Sequence, residues 1–269
     1  MRFRLHISLV NMEQNMMPLN YQYELSSWIY KTVNLGDKNF TNWLYKNGYT
    51  TYEKKFRLFT FSSLIVPKYK HLDDRLFINS EKVYFILSFQ MEEAIEPYII
   101  NLFRNQRFSL GDKKSRSTFQ VKYVEKLNDP DFSGQMTFRT LSPIMISKPL
   151  ENRETDKTIS LPPESLEFEK ILFGNLNNKY LASLNNKNTK QNQLLFSHSG
   201  KTSFELLNVP KSRLIKIKAD TPEENLLKGY LFDFKITAPV HLLKTGYHCG
   251  FGEKNSLGFG CVELVSGKG

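Results

Sequence analysis

Only two cysteines, Cys249 and Cys261, occur among the 269 residues. They are too few for a disulfide framework and lack C-x-x-C spacing, so reduced thiols are expected. His248 beside them has the wrong spacing for known zinc patterns. No apolar run approaches the roughly 18 residues of a membrane span. The opening MRFRLHISLV alternates charged with apolar residues and builds no signal-peptide core. A cytoplasmic location with no membrane partner is expected.

Acidic residues are the minority, 27 Asp+Glu against 37 Lys+Arg, for a formal net charge of +10. Pairs such as Asp73-Asp74 and Glu92-Glu93 have no third ligand at sensible spacing, which argues against a two-metal nuclease site. His198-Ser199-Gly200-Lys201-Thr202 ends like a Walker loop, yet Leu195 stands where the first glycine is needed. No metal or cofactor is expected.

Aromatic and basic side chains are plentiful. With 21 Phe and 13 Tyr the chain folds instead of remaining disordered. Its basic surplus lies in short clusters: Lys54-Lys55-Phe56-Arg57, Lys68 to Arg75, Lys113-Lys114-Ser115-Arg116, Lys179 to Lys190 and Lys211 to Lys218. Any one cluster fits a solvated surface as well as a polyanion site. Their sum favours nucleic acid, and the interleaved aromatics of EKKFRLFTF suit single strands because bases stack on rings. Lys54, Lys55, Lys113, Lys114 and Arg116 are the candidate phosphate contacts outside the glycine segment described below.

Hydrophobic periodicity sets the element order. Residues 2–10 alternate, with Phe3, Leu5, Ile7 and Leu9 on one face and Arg2, Arg4, His6 and Ser8 on a basic one. Helical spacing runs through 22–34, and a second helix is expected from Asp37 to Gly48. Strands follow at 55–66 and 76–90, a helix at 92–106, and one or two strands over 107–126. The turn-rich segment Asn128 to Gly134 marks a boundary. Beyond it the plan repeats. A strand over 135–147, a helix from Pro163 to about Asn186, strands at 203–208, 213–219 and 227–237, a helix at 239–247 and a strand at 258–265 are expected. This predicts an α+β chain of two tandem ferredoxin-like (RRM-like) βαββαβ domains, 1–127 and 135–269.

The densest local signal lies near the C-terminal end, where five of the 14 glycines fall within Gly246 to Gly260. Glycines permit close backbone approach to a ligand, so Gly250, Gly252, Lys254, Asn255, Ser256, Gly258 and Gly260 are candidate contacts to a phosphate backbone. A plain glycine-rich turn is the competing reading. A dinucleotide fingerprint is not, because five residues separate Gly252 from Gly258 and no βαβ unit opens there.

The G-x-G-x5-G-x-G pattern of GFGEKNSLGFG closely resembles the signature of the CRISPR-associated endoribonucleases that cut repeat RNA, the sixth Cas family. The basic first strand, the run Tyr21 to Tyr30, the strand Arg57 to Ser62 and Thr140-Leu141-Ser142-Pro143-Ile144 are similar to that family as well. The resemblance implies two ferredoxin-like domains and binding of CRISPR repeat RNA. It also implies metal-independent cleavage by attack of a 2′-hydroxyl, leaving a 2′,3′-cyclic phosphate and a 5′-hydroxyl. Other Cas proteins of an effector complex and a homodimer are further partners it allows. Carried over by motif, the family's catalytic Tyr falls on Tyr30, its Lys on Arg57 and its His on Tyr45.

Tyr45 is a departure. A phenol with a pKa of about 10 is a poor base at neutral pH, whereas imidazole titrates near 7. Three alternatives stay open: Tyr45 works with Tyr30 as a weak pair helped by nearby lysines, His6 enters the site, or the protein is a non-catalytic RNA-binding relative or effector-complex subunit.

Overall fold

A computed structural model describes residues 1–34, 49–51, 54–56, 58–90, 95–150, 158–184, 201–219 and 221–265, the side chains of 49–51 and 54–56 excepted. The alternating start becomes strand β1 (Arg2–Leu9), which buries Phe3, Leu5 and Ile7. Helix α1 (Gln22–Asn34) follows and buries Leu25, Ile29 and Val33, four residues apart, as one stripe. Next come β2 (Phe59–Phe61), β3 (Val83–Phe89), α2 (Glu96–Phe103), β4 (Arg107–Gly111) and β5 (Arg116–Leu127). These strands form an antiparallel sheet in the order β2-β3-β1-β5-β4. Trp28 of α1 stacks on Phe108 of β4, with ring centroids 3.9 Å apart, and seals the helix to the sheet.

The second half repeats the arrangement. Strand β6 (Gln135–Thr140), helix α3 (Leu166–Ser183), β7 (Ser203–Leu206), β8 (Lys211–Ile217), β9 (Asn225–Leu231), β10 (Asp233–Thr237), helix α4 (Val240–Cys249) and β11 (Val262–Leu264) follow in order. The sheet order is β7-β10-β6-β11, which matches β2-β3-β1-β5 element for element. Both halves therefore have the ferredoxin-like order, with β8 and β9 inserted in the second as a separate hairpin. Short accessory strands Met16–Pro18, Tyr69–Leu72 and Arg75–Ile78 form a three-stranded sheet.

Several boundaries differ from expectation for physical reasons. The strand expected over 135–147 ends at Thr140, because the chain turns through Leu141-Ser142-Pro143 and proline has no N–H for a ladder. The strand expected over 227–237 is two strands. The buried side changes phase between Gly229 and Tyr230, and the hydrogen-bond partners change at Phe232, whose N–H is taken by Thr140 Oγ1 at 2.9 Å. The strand expected over 258–265 begins only at Val262, because Gly258 and Gly260 have positive φ. The helix expected at 37–48 lies outside the described residues.

The basic face of β1 is not free surface at its start. Arg2 is 2% exposed, and its guanidinium lies 4.2 Å over the Tyr247 ring of α4 and donates to the Val262 carbonyl of β11. It joins the two halves. His6, further along, is held by Glu125 at 2.8 Å and stacked on Tyr123 at 4.0 Å. Among the described residues no helix is long and apolar enough to cross a membrane.

Candidate nucleic-acid interface

Helix α4 ends at Gly250, and a loop runs from there to Gly260, closed at its base by Phe251 N–H to the Gly260 carbonyl at 2.9 Å. Phe251 is fully buried under it. Two of the glycines show why the spacing is needed. Gly258 has φ +90°, and a Cβ there would lie 2.8 Å from the Phe61 ring. Gly260 has φ +77°, and a Cβ there would meet the Phe251 carbonyl at 2.0 Å. The pattern first serves the loop's own packing.

Of the seven loop residues expected to contact RNA, only Lys254 exposes its side chain; Ser256 is half-buried and the four glycines and Asn255 are buried. Asn255 turns inward. Its Nδ2 donates to the Phe251 carbonyl at 3.1 Å and the Phe259 carbonyl at 3.0 Å, so its amide organises the loop instead of facing a ligand. Its Oδ1 accepts from Lys179 Nζ of α3 at 2.7 Å. Lys179 also donates to the carbonyls of Gly250 at 2.7 Å and Gly252 at 2.5 Å. Burial pulls its pKa down to about 7.

Three side-chain hydroxyls also dock the loop onto other elements. Ser26 Oγ of α1 donates to the Ser256 carbonyl at 2.7 Å, Thr60 Oγ1 of β2 donates to the Phe259 carbonyl at 2.8 Å, and Ser147 Oγ donates to Glu253 Oε2 at 2.7 Å. Tyr30 lies one turn beyond Ser26 on α1, half-buried, with its ring edge-on to Phe59 of β2 at 5.4 Å. The structure thus brings Tyr30, β2 and the glycine loop into one neighbourhood. Arg57, two residues before β2, and Tyr45 lie outside the described residues. Lys54 and Lys55 belong to the short strand Lys54–Phe56 paired with Tyr49–Thr51, and their side chains lie outside the description.

Lys113, Lys114 and Arg116 stand exposed around the β4–β5 turn. That turn is fixed by Asp112, which accepts the Lys114 and Ser115 N–H groups at 2.9 Å and the Arg75 guanidinium at 2.6 Å. They form a basic tip on a different element from the loop. Beside Thr140 and Pro143, between the halves, lies a cavity of about 360 Å³ also lined by Asn20, Tyr21, Tyr69 and Arg213. Its open side carries a phenol, an imidazole at His71 and a guanidinium, groups that stack on bases and bond phosphate. Sequence reasoning missed Ser26, Thr60 and Lys179 as loop supports. Lys179 alone left a signal, a lysine in register with the apolar stripe Phe168, Leu172 and Leu176.

Residues 16–125 match the family model described as CRISPR-associated protein Cas6, N-terminal, and residues 127–264 match CRISPR associated protein Cas6, C-terminal. The CRISPR-associated endoribonuclease Cas6 1 of Methanocaldococcus jannaschii is 29% identical over 98% of this chain and 94% of its own. The CRISPR-associated endoribonuclease Cas6 of Pyrococcus furiosus is 27% identical over 94% of this chain and 85% of its own. A solved structure of a Cas6-related gene product from Pyrococcus furiosus superposes with a TM-score of 0.77 at 23% identity, covering 100% of this chain and 99% of that one, and so shares the fold. With family models covering both halves and the glycine loop docked between them, the chain belongs to the Cas6 family of CRISPR-associated proteins.

Proposed function

We propose that this protein is an endoribonuclease that binds CRISPR repeat RNA and cuts it without a metal ion. A 2′-hydroxyl attacks the adjacent phosphorus, the O2′–P bond forms and the P–O5′ bond breaks. The 2′ proton passes to a base, and the departing 5′-oxygen takes one up, leaving a 2′,3′-cyclic phosphate and a 5′-hydroxyl. Such a step needs an acid, a base and a cation for the charge on phosphorus. Tyr30 and Tyr45 are assigned the proton-handling positions and Arg57 the cation. Arg57 grips phosphate with two donors but exchanges no proton.

The observation that carries this reading is the docking of the glycine loop by Ser26 on α1 and Thr60 on β2. It packs the loop that carries the exposed Lys254 against the helix bearing Tyr30 and the strand that follows Arg57, which supports this reading. The relatives named as endoribonucleases support the activity. The cavity between the halves provides the path for single-stranded RNA, with the basic tip at Lys113, Lys114 and Arg116 as an outer phosphate contact. The two domains are taken as 1–127 and 135–269, joined through Asn128 to Gly134. Other Cas proteins and a second copy of the chain are the further partners of this reading.

Tyr45 favours a second reading, in which the RNA is held without being cut. A repeat RNA with one 2′-deoxy nucleotide at the cut site separates the two. On the endoribonuclease reading it binds like the all-ribose RNA and is not cleaved, while the all-ribose RNA is cleaved. Binding of both with cleavage of neither establishes the second reading.

A further inference from the structure

The cation most tightly bound to the glycine loop lies inside the protein. Helix α3 buries Phe168, Leu172 and Leu176, and the same face continues to Lys179, which is 3% exposed. An ammonium has three N–H donors, and Lys179 Nζ has three acceptors, the carbonyls of Gly250 and Gly252 and the Asn255 side-chain oxygen. All three acceptors are neutral. A buried charge costs several kcal/mol unless it is fully hydrogen-bonded and balanced by an opposite charge. Here the bonds are complete, but among the described residues no opposite charge is in contact.

The titratable groups facing Lys179 supply it only in part. The Cys249 thiol of α4 is pushed up to about 12 by burial and is neutral at pH 7. The Glu253 carboxylate of the loop favours the ammonium from a distance, its oxygens being engaged by Ser147 Oγ at 2.7 Å and by the Ser147 N–H at 3.4 Å. His241 of α4 stacks on the neighbouring Tyr180 at 4.3 Å. Among the described residues Lys179 makes no ion pair with a carboxylate. A neutral donor would fasten the same three oxygens without the cost of a buried charge. A cation in that place fits a loop whose ligand is an anion.

We infer that Lys179 is a positioning residue for RNA: its ammonium gathers the loop around three oxygens and lends positive charge to the RNA backbone bound at Lys254, so that RNA binding is coupled to protonation of Lys179. This rests on the reading of the loop as part of an RNA site. The sign follows from linkage. Bound phosphate favours the charged lysine, so affinity is highest where Lys179 is protonated and falls as the pH rises past about 7.

The test measures the affinity for repeat RNA made uncleavable by a 2′-deoxy nucleotide, from pH 6 to pH 9, for the wild-type chain and K179M. The wild type is expected to weaken about tenfold across the range, the effect of a shift of one pKa unit on binding. K179M is expected to bind more weakly at pH 6 and to have a flat profile. Equal affinities with the same profile overturn the proposal. Since K179M strands three acceptors and can fail to fold, a second measurement uses wild-type protein labelled with 15N-lysine. The Lys179 Nζ resonance is expected to titrate at higher pH once RNA is added, and an unmoved midpoint overturns the proposal. A wild-type chain that binds no repeat RNA overturns the functional reading and this proposal with it. Binding with a pH-independent affinity overturns the proposal alone.

Discussion

Ser26 Oγ donates to the Ser256 carbonyl at 2.7 Å, joining residues 230 positions apart. Ser26 is 1% exposed and Ser256 half-buried, so Ser26→Ala removes a part-buried hydrogen bond. Such a bond contributes about 0.5–1.5 kcal/mol. Urea denaturation of the variant is expected to show a loss in that range, together with weaker binding of repeat RNA. Unchanged stability and affinity would remove the bond from the account of the loop.

Two glycine substitutions are expected to act in opposite directions. Gly258→Ala places a Cβ at φ +90°, 2.8 Å from the Phe61 ring. The left-handed conformation alone costs about 1–2 kcal/mol, and the ring must move as well. Gly174 lies within α3 with nothing within 4 Å of an added Cβ. Gly174→Ala therefore gains helix propensity and is expected to stabilise by about 1 kcal/mol. Thermal denaturation of both variants reads the contrast, and two shifts of the same sign would contradict it.

Tyr30→Phe keeps the ring that packs edge-on against Phe59 and removes only the hydroxyl. Single-turnover cleavage of repeat RNA is expected to slow by about 10²–10⁴-fold, the usual contribution of a general acid or base. Affinity for the uncleavable RNA should stay within a factor of about two. An unaltered cleavage rate would take the hydroxyl out of the reaction.

Glu24, in the first turn of α1, has a carboxyl oxygen that is buried and unpartnered, and burial raises its pKa above the ordinary 4.5. A carboxyl with a raised folded pKa favours the fold below its unfolded pKa and loses that contribution as the pH climbs through the folded one. Glu24→Gln is expected to raise the melting temperature at pH 7 and to have little effect at pH 4. A variant less stable than wild type at pH 7 would show that the charged form is the favoured one.

The regular parts of the fold were legible because one side chain in each repeat faces a core. Phe3, Leu5 and Ile7 in β1, and Leu25, Ile29 and Val33 in α1, have the periods of two and 3.6 that burial imposes. The division at Phe232 was not, because apolar residues stand on both faces from Leu227 to Phe234 and the change of phase falls at Gly229, which has no side chain to mark it. Lys179 was legible by position and obscured by charge. It belongs to the stripe of Phe168, Leu172 and Leu176, yet its sign groups it with the basic cluster that runs on to Lys190. Ser26 and Thr60 left no local trace, since their partners lie 230 and 199 residues away. The glycine pattern was visible as a motif, but not its cause. Phe251 or Asn255 fills the space a side chain would need at Gly246, Gly250 and Gly260, the Met145 carbonyl that at Gly252, and the Phe61 ring that at Gly258.

The most direct test of the proposed activity incubates the purified protein with its own repeat RNA in excess EDTA and resolves the products and their end groups. The expected result is one cut per repeat, with a 2′,3′-cyclic phosphate on the upstream fragment and a 5′-hydroxyl on the downstream one. Intact RNA under conditions where it is tightly bound, or cleavage that EDTA abolishes, would contradict it.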